Sequence, residues 1–176
     1  GSAHICDALV VDIADMSIPA LGRGLTVAWS SDGKRLLTVT RWAKLWHAST
    51  GNAIGESFPV TDVRDGRFSP SGNLLAVAGG AGTARVWDGH SAAAVSRPMR
   101  HQGAVNSIEF SPDESRVATA SDDGTACLWD ARRGTLLLTP LRHPAAVRQA
   151  TFSPDGRRLA TAGGDRAARV WDTVTG

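Results

Sequence analysis

Cysteine is scarce: the chain has two in 176 residues, Cys6 and Cys127, and they fit neither a metal-ligand spacing nor a disulfide framework. So few thiols exclude a disulfide-stapled secreted scaffold and fit a reducing compartment. No apolar run approaches the roughly 20 residues that a membrane helix needs, and no secretory leader is visible. Charge of one sign is also in short supply. Lys and Arg number 19 against 17 Asp and Glu, and the net +2 is spread along the chain, so it leaves no electrostatic footprint for nucleic acid. No segment offers three turns of amphipathic helix. These absences leave an all-β protein expected in the cytoplasm, with neither membrane nor nucleic acid as a partner.

The chain does have turn formers, with 19 Gly and 8 Pro, in an ordinary globular background of 42% hydrophobic and 20% charged residues. The leading Gly1-Ser2 reads as a tag remnant and is set aside, and the rest is expected to be a piece of a longer protein. Two markers then repeat in step. Trp46, Trp87, Trp129 and Trp171 follow at intervals of 41, 42 and 42 residues. WSSDG at Trp29, FSPSG at Phe68, FSPDE at Phe110 and FSPDG at Phe152 are spaced by 39, 42 and 42. Within each unit the apolar residues alternate, as half-buried strands require, and turns such as Pro154-Asp155-Gly156 and Asp122-Asp123-Gly124 separate them. In the third unit the expected strands start at Val105, at Val117 and at Thr125, with a fourth over Thr135 to Thr139, just before Pro140. A four-stranded sheet cannot bury both faces alone, so the units must stack.

These units resemble the WD repeat of β-propellers. His101, FSPDE, TASDDGT and LWD mark the third unit, and His143, FSPDG, TAGGD and VWD the fourth. The second unit ends in Val86-Trp87-Asp88 and the first in Leu45-Trp46-His47. The resemblance implies an all-β fold of four four-stranded antiparallel blades, at residues 25–58, 59–100, 101–142 and 143–176, with 3–24 a partial blade or closing strand. In that family a His, a Ser or Thr, an Asp and a Trp tie a blade together by hydrogen bonds. Position by position this implies a structural network of His101, Thr119, Asp123 and Trp129 in the third blade, and of His143, Thr161, Asp165 and Trp171 in the fourth. The second unit has Pro59, Val77 and Ala81 there, and the first has no matching His or Asp. The N-terminal half is therefore expected to be the looser one where apolar packing does not replace those bonds.

Four blades are few for a ring. The expectation is a homodimer forming an eight-bladed ring, with residues 17–21 of each chain supplying the outer strand that the partner's fourth blade lacks. A four-bladed monomer, or a slice of a larger propeller, remains open beside it. A Ser-His-Asp hydrolase site is set aside because the His and Asp recur at the period of the fold, whereas one pocket needs one constellation. Metal ligation is set aside because the two His lie 42 apart with no second ligand near. No catalytic residue, metal or cofactor is expected. Gly79-Gly80-Ala81-Gly82 reads as a turn, without the helix and Lys of a phosphate loop. Trp29 stands at a core position and is expected to be buried, Trp42 lies in a shortened turn, and Lys34-Arg35 and Arg157-Arg158 read as solvated loop charges.

Any functional face is expected where connections enter each inner strand, the other reading of those residues being a ring of solvated charges. Arg64, Asn106 and Arg148 are equivalent there, joined by Gln102, Asp122 and Arg166, and Trp42 would add a contact anchor if exposed, its other reading being packing against a neighbouring blade. The resemblance implies a non-catalytic scaffold that binds protein or peptide partners on that face. The Ala- and Arg-rich units resemble bacterial WD-repeat tracts attached to signalling domains. The alternatives are an excised or engineered assembly module without a binding role, or an enzyme with its site in the central channel.

Overall fold

A computed structural model describes residues 26–40 and 42–176. The closing-strand segment expected at 3–24 lies outside the described residues. All regular structure among the described residues is antiparallel strand, arranged in four sheets. The first runs β1 (Thr26–Trp29), β2 (Arg35–Val39), β3 (Ala43–His47) and β4 (Ala53–Ile54). The second contains β5 (Val63–Phe68), β6 (Leu74–Gly79), β7 (Thr83–Asp88) and β8 (Met99–Arg100). The third contains β9 (Val105–Phe110), β10 (Arg116–Ser121), β11 (Thr125–Asp130) and β12 (Leu141–Arg142). The fourth has three described strands, β13 (Val147–Phe152), β14 (Arg158–Gly163) and β15 (Ala168–Asp172). In each sheet the strands lie in chain order, and the first strand packs beside the first strand of the next sheet.

The repeated FSPDG-type motif has a local cause. Ser30, Ser111 and Ser153 each donate their hydroxyl to the Asp two residues on, at 2.6, 2.5 and 2.6 Å. The same Oγ accepts the backbone N–H five residues on, which opens the next strand. This side-chain-to-backbone bonding is what Ser and Asp contribute to tight turns. Gly33, Gly72 and Gly156 complete three of the turns at positive φ, and Glu114 takes that conformation in the fourth.

The core lies between sheets. Leu37, Val39 and Leu45 of the first meet Leu75, Val77 and Trp87 of the second. Ala76, Ala78, Ala84 and Val86 of the second meet Ile108, Phe110 and Trp129 of the third. Ala118, Ala120, Ala126 and Leu128 of the third meet Ala150, Phe152 and Leu159 of the fourth. Each large apolar side chain buried this way contributes about 1.5–3 kcal/mol. One close approach demands glycine: a Cβ on Gly66 of β5 would stand 2.9 Å from Val39 and 3.0 Å from Leu37. Hydrogen bonds also join the inner strands. The N–H of Ile108 donates to Asp65, that of Ala150 to Ser107, and that of Phe152 to Glu109.

Three expectations are corrected. The outer strand of the third sheet is not Thr135 to Thr139. Leu136 makes a single bridge to Trp129, and the paired residues are Leu141 and Arg142, past Pro140, which has no N–H to give to a ladder. Arg35 is not a solvated loop charge. It is 4% exposed on β2 and donates to the carbonyls of Gly72 and Gly89 in the next sheet, at 3.0 and 2.8 Å. Trp29 is not buried. It is 43% exposed.

Candidate functional site

The expected networks have unlike geometries. In the third sheet, Trp129 Nε1 donates to Thr119 Oγ1 at 2.8 Å, and Thr119 lies 2.7 Å from His101 Nε2. His101 Nδ1 sits 3.0 Å from an oxygen of Asp123. A carboxylate only accepts, so Nδ1 carries the proton and Nε2 accepts from the Thr119 hydroxyl. Asp123 is further held by the backbone N–H groups of Gln102 and Thr125 and by the Thr125 hydroxyl. Burial pushes the His101 pKa down from its usual value, against the pull of Asp123. Burial acts to raise the Asp123 pKa but is outweighed by its hydrogen bonds from Thr125 and Gln102 and by His101, so the net direction is down. Thr-His-Asp order is that of a hydrolase relay. Here Thr119 is fully buried and its oxygen already accepts from Trp129, so the hydroxyl is closed to substrate.

In the fourth sheet Thr161 again joins Trp171 Nε1 (2.8 Å) and His143 Nε2 (2.7 Å). Arg169, where the third sheet has Cys127, reaches His143 Nδ1 at 2.6 Å and Asp165 at 2.5 Å. An arginine can only donate, so Nδ1 accepts and Nε2 carries the proton: the opposite tautomer. His143 Nδ1 to Asp165 is correspondingly longer, 3.4 Å. Cys127 is buried, and burial raises its thiol pKa to about 11, so it is a protonated, unreactive core group.

The sequence register missed the second sheet's substitute. Phe58, one residue before Pro59, packs on Trp87 with ring centroids 4.9 Å apart, and both are 2% exposed. The signal was an aromatic one position out of register with the expected His. In the first sheet Thr38 Oγ1 still accepts from Trp46 Nε1 at 2.9 Å, and Lys44 lies over the Trp46 ring.

The residues expected on a partner face divide into two groups. Arg64, Asn106 and Arg148 converge on Asp122. Arg64 donates to Asp122 at 3.0 Å and to Asn106 at 2.5 Å. Asn106 donates to Asp122 at 2.8 Å and to the Val147 carbonyl at 2.9 Å, and Arg148 donates to Asp122 at 2.8 Å. The hydrogen bond from Asn106 is the largest influence holding the Asp122 carboxyl below its ordinary pKa, helped by Arg64 and Arg148. A backbone feature explains the convergence. The ladder shifts between Val63 and Asp65, between Ala120 and Ser121, and between Val147 and Gln149. Arg64, Asn106 and Arg148 are the extra residues of three successive bulges, and a bulge re-aims its side chain.

Gln102, Arg166 and Trp42 lie at the same end of the sheets but outside this cluster. Gln102 engages Asp123 only through its backbone. Trp42 is 57% exposed in the β2–β3 turn, its N–H held by Thr40 Oγ1. Arg166 is exposed at φ 61, where the second and third sheets have Gly82 and Gly124. A Cβ on Gly82 would stand 2.8 Å from the His101 carbonyl, because the chain leaving β8 passes there. Among the described residues, no group of three or more His, Cys, Asp or Glu is placed to hold a metal, and no helix is long and apolar enough to cross a membrane.

The comparisons with known proteins agree with this architecture. The crystal structure of the computationally designed Ika4 protein superposes with a TM-score of 0.73 at 22% identity, covering 87% of this chain and 92% of that one. Likeness at that identity concerns the fold alone. No curated protein matches. The family model for the WD domain, G-beta repeat, matches residues 49–88, 95–130 and 134–172, each match running from the outer strand of one sheet through three strands of the next. With most of its length matched in three successive repeats, the chain belongs to the WD domain, G-beta repeat family.

Proposed function

We propose that this chain is a non-catalytic, cytoplasmic interaction scaffold that docks an acidic segment of a protein partner on the bulged rim of the second, third and fourth blades. The observation that carries this reading is the bulging of three successive inner strands at Arg64, Asn106 and Arg148, all aimed at one exposed carboxylate. Two guanidinium groups share one Asp, so the cluster keeps an excess positive charge. Arg148 is the more open of the two, with 63% of its side chain exposed. Guanidinium presents paired donors that match a carboxylate or phosphate. Asp122 holds both arginines in place before a ligand arrives, which lowers the ordering cost of binding. Arg166 adds a third cation at the same end of the blades, in a left-handed conformation that side chains rarely adopt. Exposed Trp42 adds an apolar anchor of the kind that interface centres favour.

The test is fluorescence polarisation with labelled Glu-rich and phosphoserine peptides. Saturable binding is expected that weakens about tenfold or more in R148E and declines as salt is raised. Equal affinity of wild type and R148E, or no binding by either peptide class, would remove the acidic-partner reading.

A further inference from the structure

The two ends of the stack are complementary. In the fourth blade Ala160, Ala162, Ala168 and Val170 occupy the face turned away from the third. They match, residue for residue, Ala76, Ala78, Ala84 and Val86 of the second blade, a face fully buried against the third. Val86 is 0% exposed and Val170 is 66% exposed. At the other end the first blade presents Trp29 and Val27, 43% and 47% exposed. Trp29 stands where Phe68, Phe110 and Phe152 stand in the later blades, and those rings pack against the preceding sheet.

A polar clamp has the same unfilled pattern. Arg35 of the first blade donates to the Gly72 carbonyl of the second and lies 5.9 Å from the Phe68 ring centroid. Arg116 of the third donates to the Gly156 carbonyl of the fourth and lies 5.6 Å from the Phe152 centroid. Between the second and third blades the clamp is absent from both sides, with Leu74 in place of the arginine and Glu114 in place of the glycine. Arg158 of the fourth blade is the next arginine in this series, and it is exposed. Its missing counterparts, a glycine at the turn and an aromatic ring, stand unused among the described residues at Gly33 and Trp29. Among the described residues the inner-strand stitch is open too. Gln149 follows Asp65 and Ser107 in position, and the N–H corresponding to those of Ile108 and Ala150 is that of Val27.

We infer that the fourth blade of one chain receives the first blade of a second copy, Arg158 closing over Trp29 and Gly33 of that copy. Two chains related by a twofold axis make this joint twice, which leaves no blade face open and closes an eight-bladed ring. A second copy is the occupant because both halves of one blade–blade joint, apolar face and arginine clamp alike, are present on this chain and point outward from opposite ends. The joint is independent of the docking rim, whose residues lie on the bulged ends of β5, β9 and β13.

The experiment is the absolute mass of the 176-residue chain by light scattering on a size-exclusion column, over a hundredfold dilution, with circular dichroism of every variant. Twice the 18.4 kDa chain mass is expected, constant on dilution. V170D and W29D, both changes at exposed positions, should each return the mass to that of one chain with an unchanged β spectrum. R158A should raise the dissociation constant tenfold or more. R148E should leave the mass alone, so loss of peptide binding and loss of pairing read out separately. A wild-type monomer would overturn the inference. So would masses that grow beyond two chains with concentration, or a dimer that survives both V170D and W29D.

Discussion

The second and third blades solve one problem in different ways. Each must hold a Trp at the same point of its third strand, opposite an equivalent residue of the second. The third does so with a directed relay, in which Trp129 donates to Thr119, Thr119 to His101, and His101 to Asp123. The second replaces the Thr by Val77 and the His by Pro59, and packs Phe58 on Trp87 instead. A relay fixes orientation through donors and acceptors and brings protonation with it. An apolar pair fixes position by area and is indifferent to pH. The Trp of the repeat therefore specifies a place in the blade and leaves the means of holding it free.

Removing the apolar pair should have the larger effect. F58A deletes a 2%-exposed aromatic from between two sheets, a change that typically costs about 3–5 kcal/mol. Urea unfolding of the variant should show a loss in that range. A loss below about 1 kcal/mol would mean that the second blade is not held through Phe58. The relay should be less costly to break at one link. T119V keeps the volume but leaves the Trp129 N–H without its acceptor and His101 Nε2 without its donor, for a loss of about 1–3 kcal/mol. An unchanged midpoint in T119V would show that the relay contributes nothing beyond packing.

Some of this was legible in the sequence and some was not, for physical reasons. The Trp series and the Ser-x-Asp turns were readable because each acts within about six residues or repeats against an identical neighbour. The Thr-Trp pair was expected only through the family resemblance; in the structure the register of adjacent strands brings the two residues together. Phe58 was not, since it fills the place from one residue upstream, where a period of 42 does not look. Arg35 read as a turn charge because its acceptors, Gly72 and Gly89, lie 37 and 54 residues on in the next blade. Trp29 read as core because its equivalents are core, while its own exposure depends on what stands beside the first blade. Arg64, Asn106 and Arg148 were recognisable as equivalent positions, but the bulges that turn them toward Asp122 leave no residue signature.

The finest difference between the two blades is in their response to acid. His101 has its pKa pushed below the ordinary 6.5 by burial, so the folded chain binds this proton less readily than the unfolded chain does. Stability is then unaffected well above pH 6.5 and falls as pH drops through 6.5 toward the folded pKa, because the unfolded state gains the proton first. Asp123 works in a separate window: its folded pKa is depressed below 3.8, so its contribution is present above that value and is lost only at lower pH. Between pH 7.5 and 5 the descent from this relay therefore belongs to His101. Melting temperatures by circular dichroism at pH 7.5, 6.5 and 5.5 should fall for the wild type. H101Q should start lower and descend less steeply. F58A should start lower still and keep the wild-type slope, because the Phe58–Trp87 pair holds no proton to exchange. If H101Q kept the full slope, the buried imidazole would not be the group that responds, and the distinction drawn between relay and packing would lose its chemical basis.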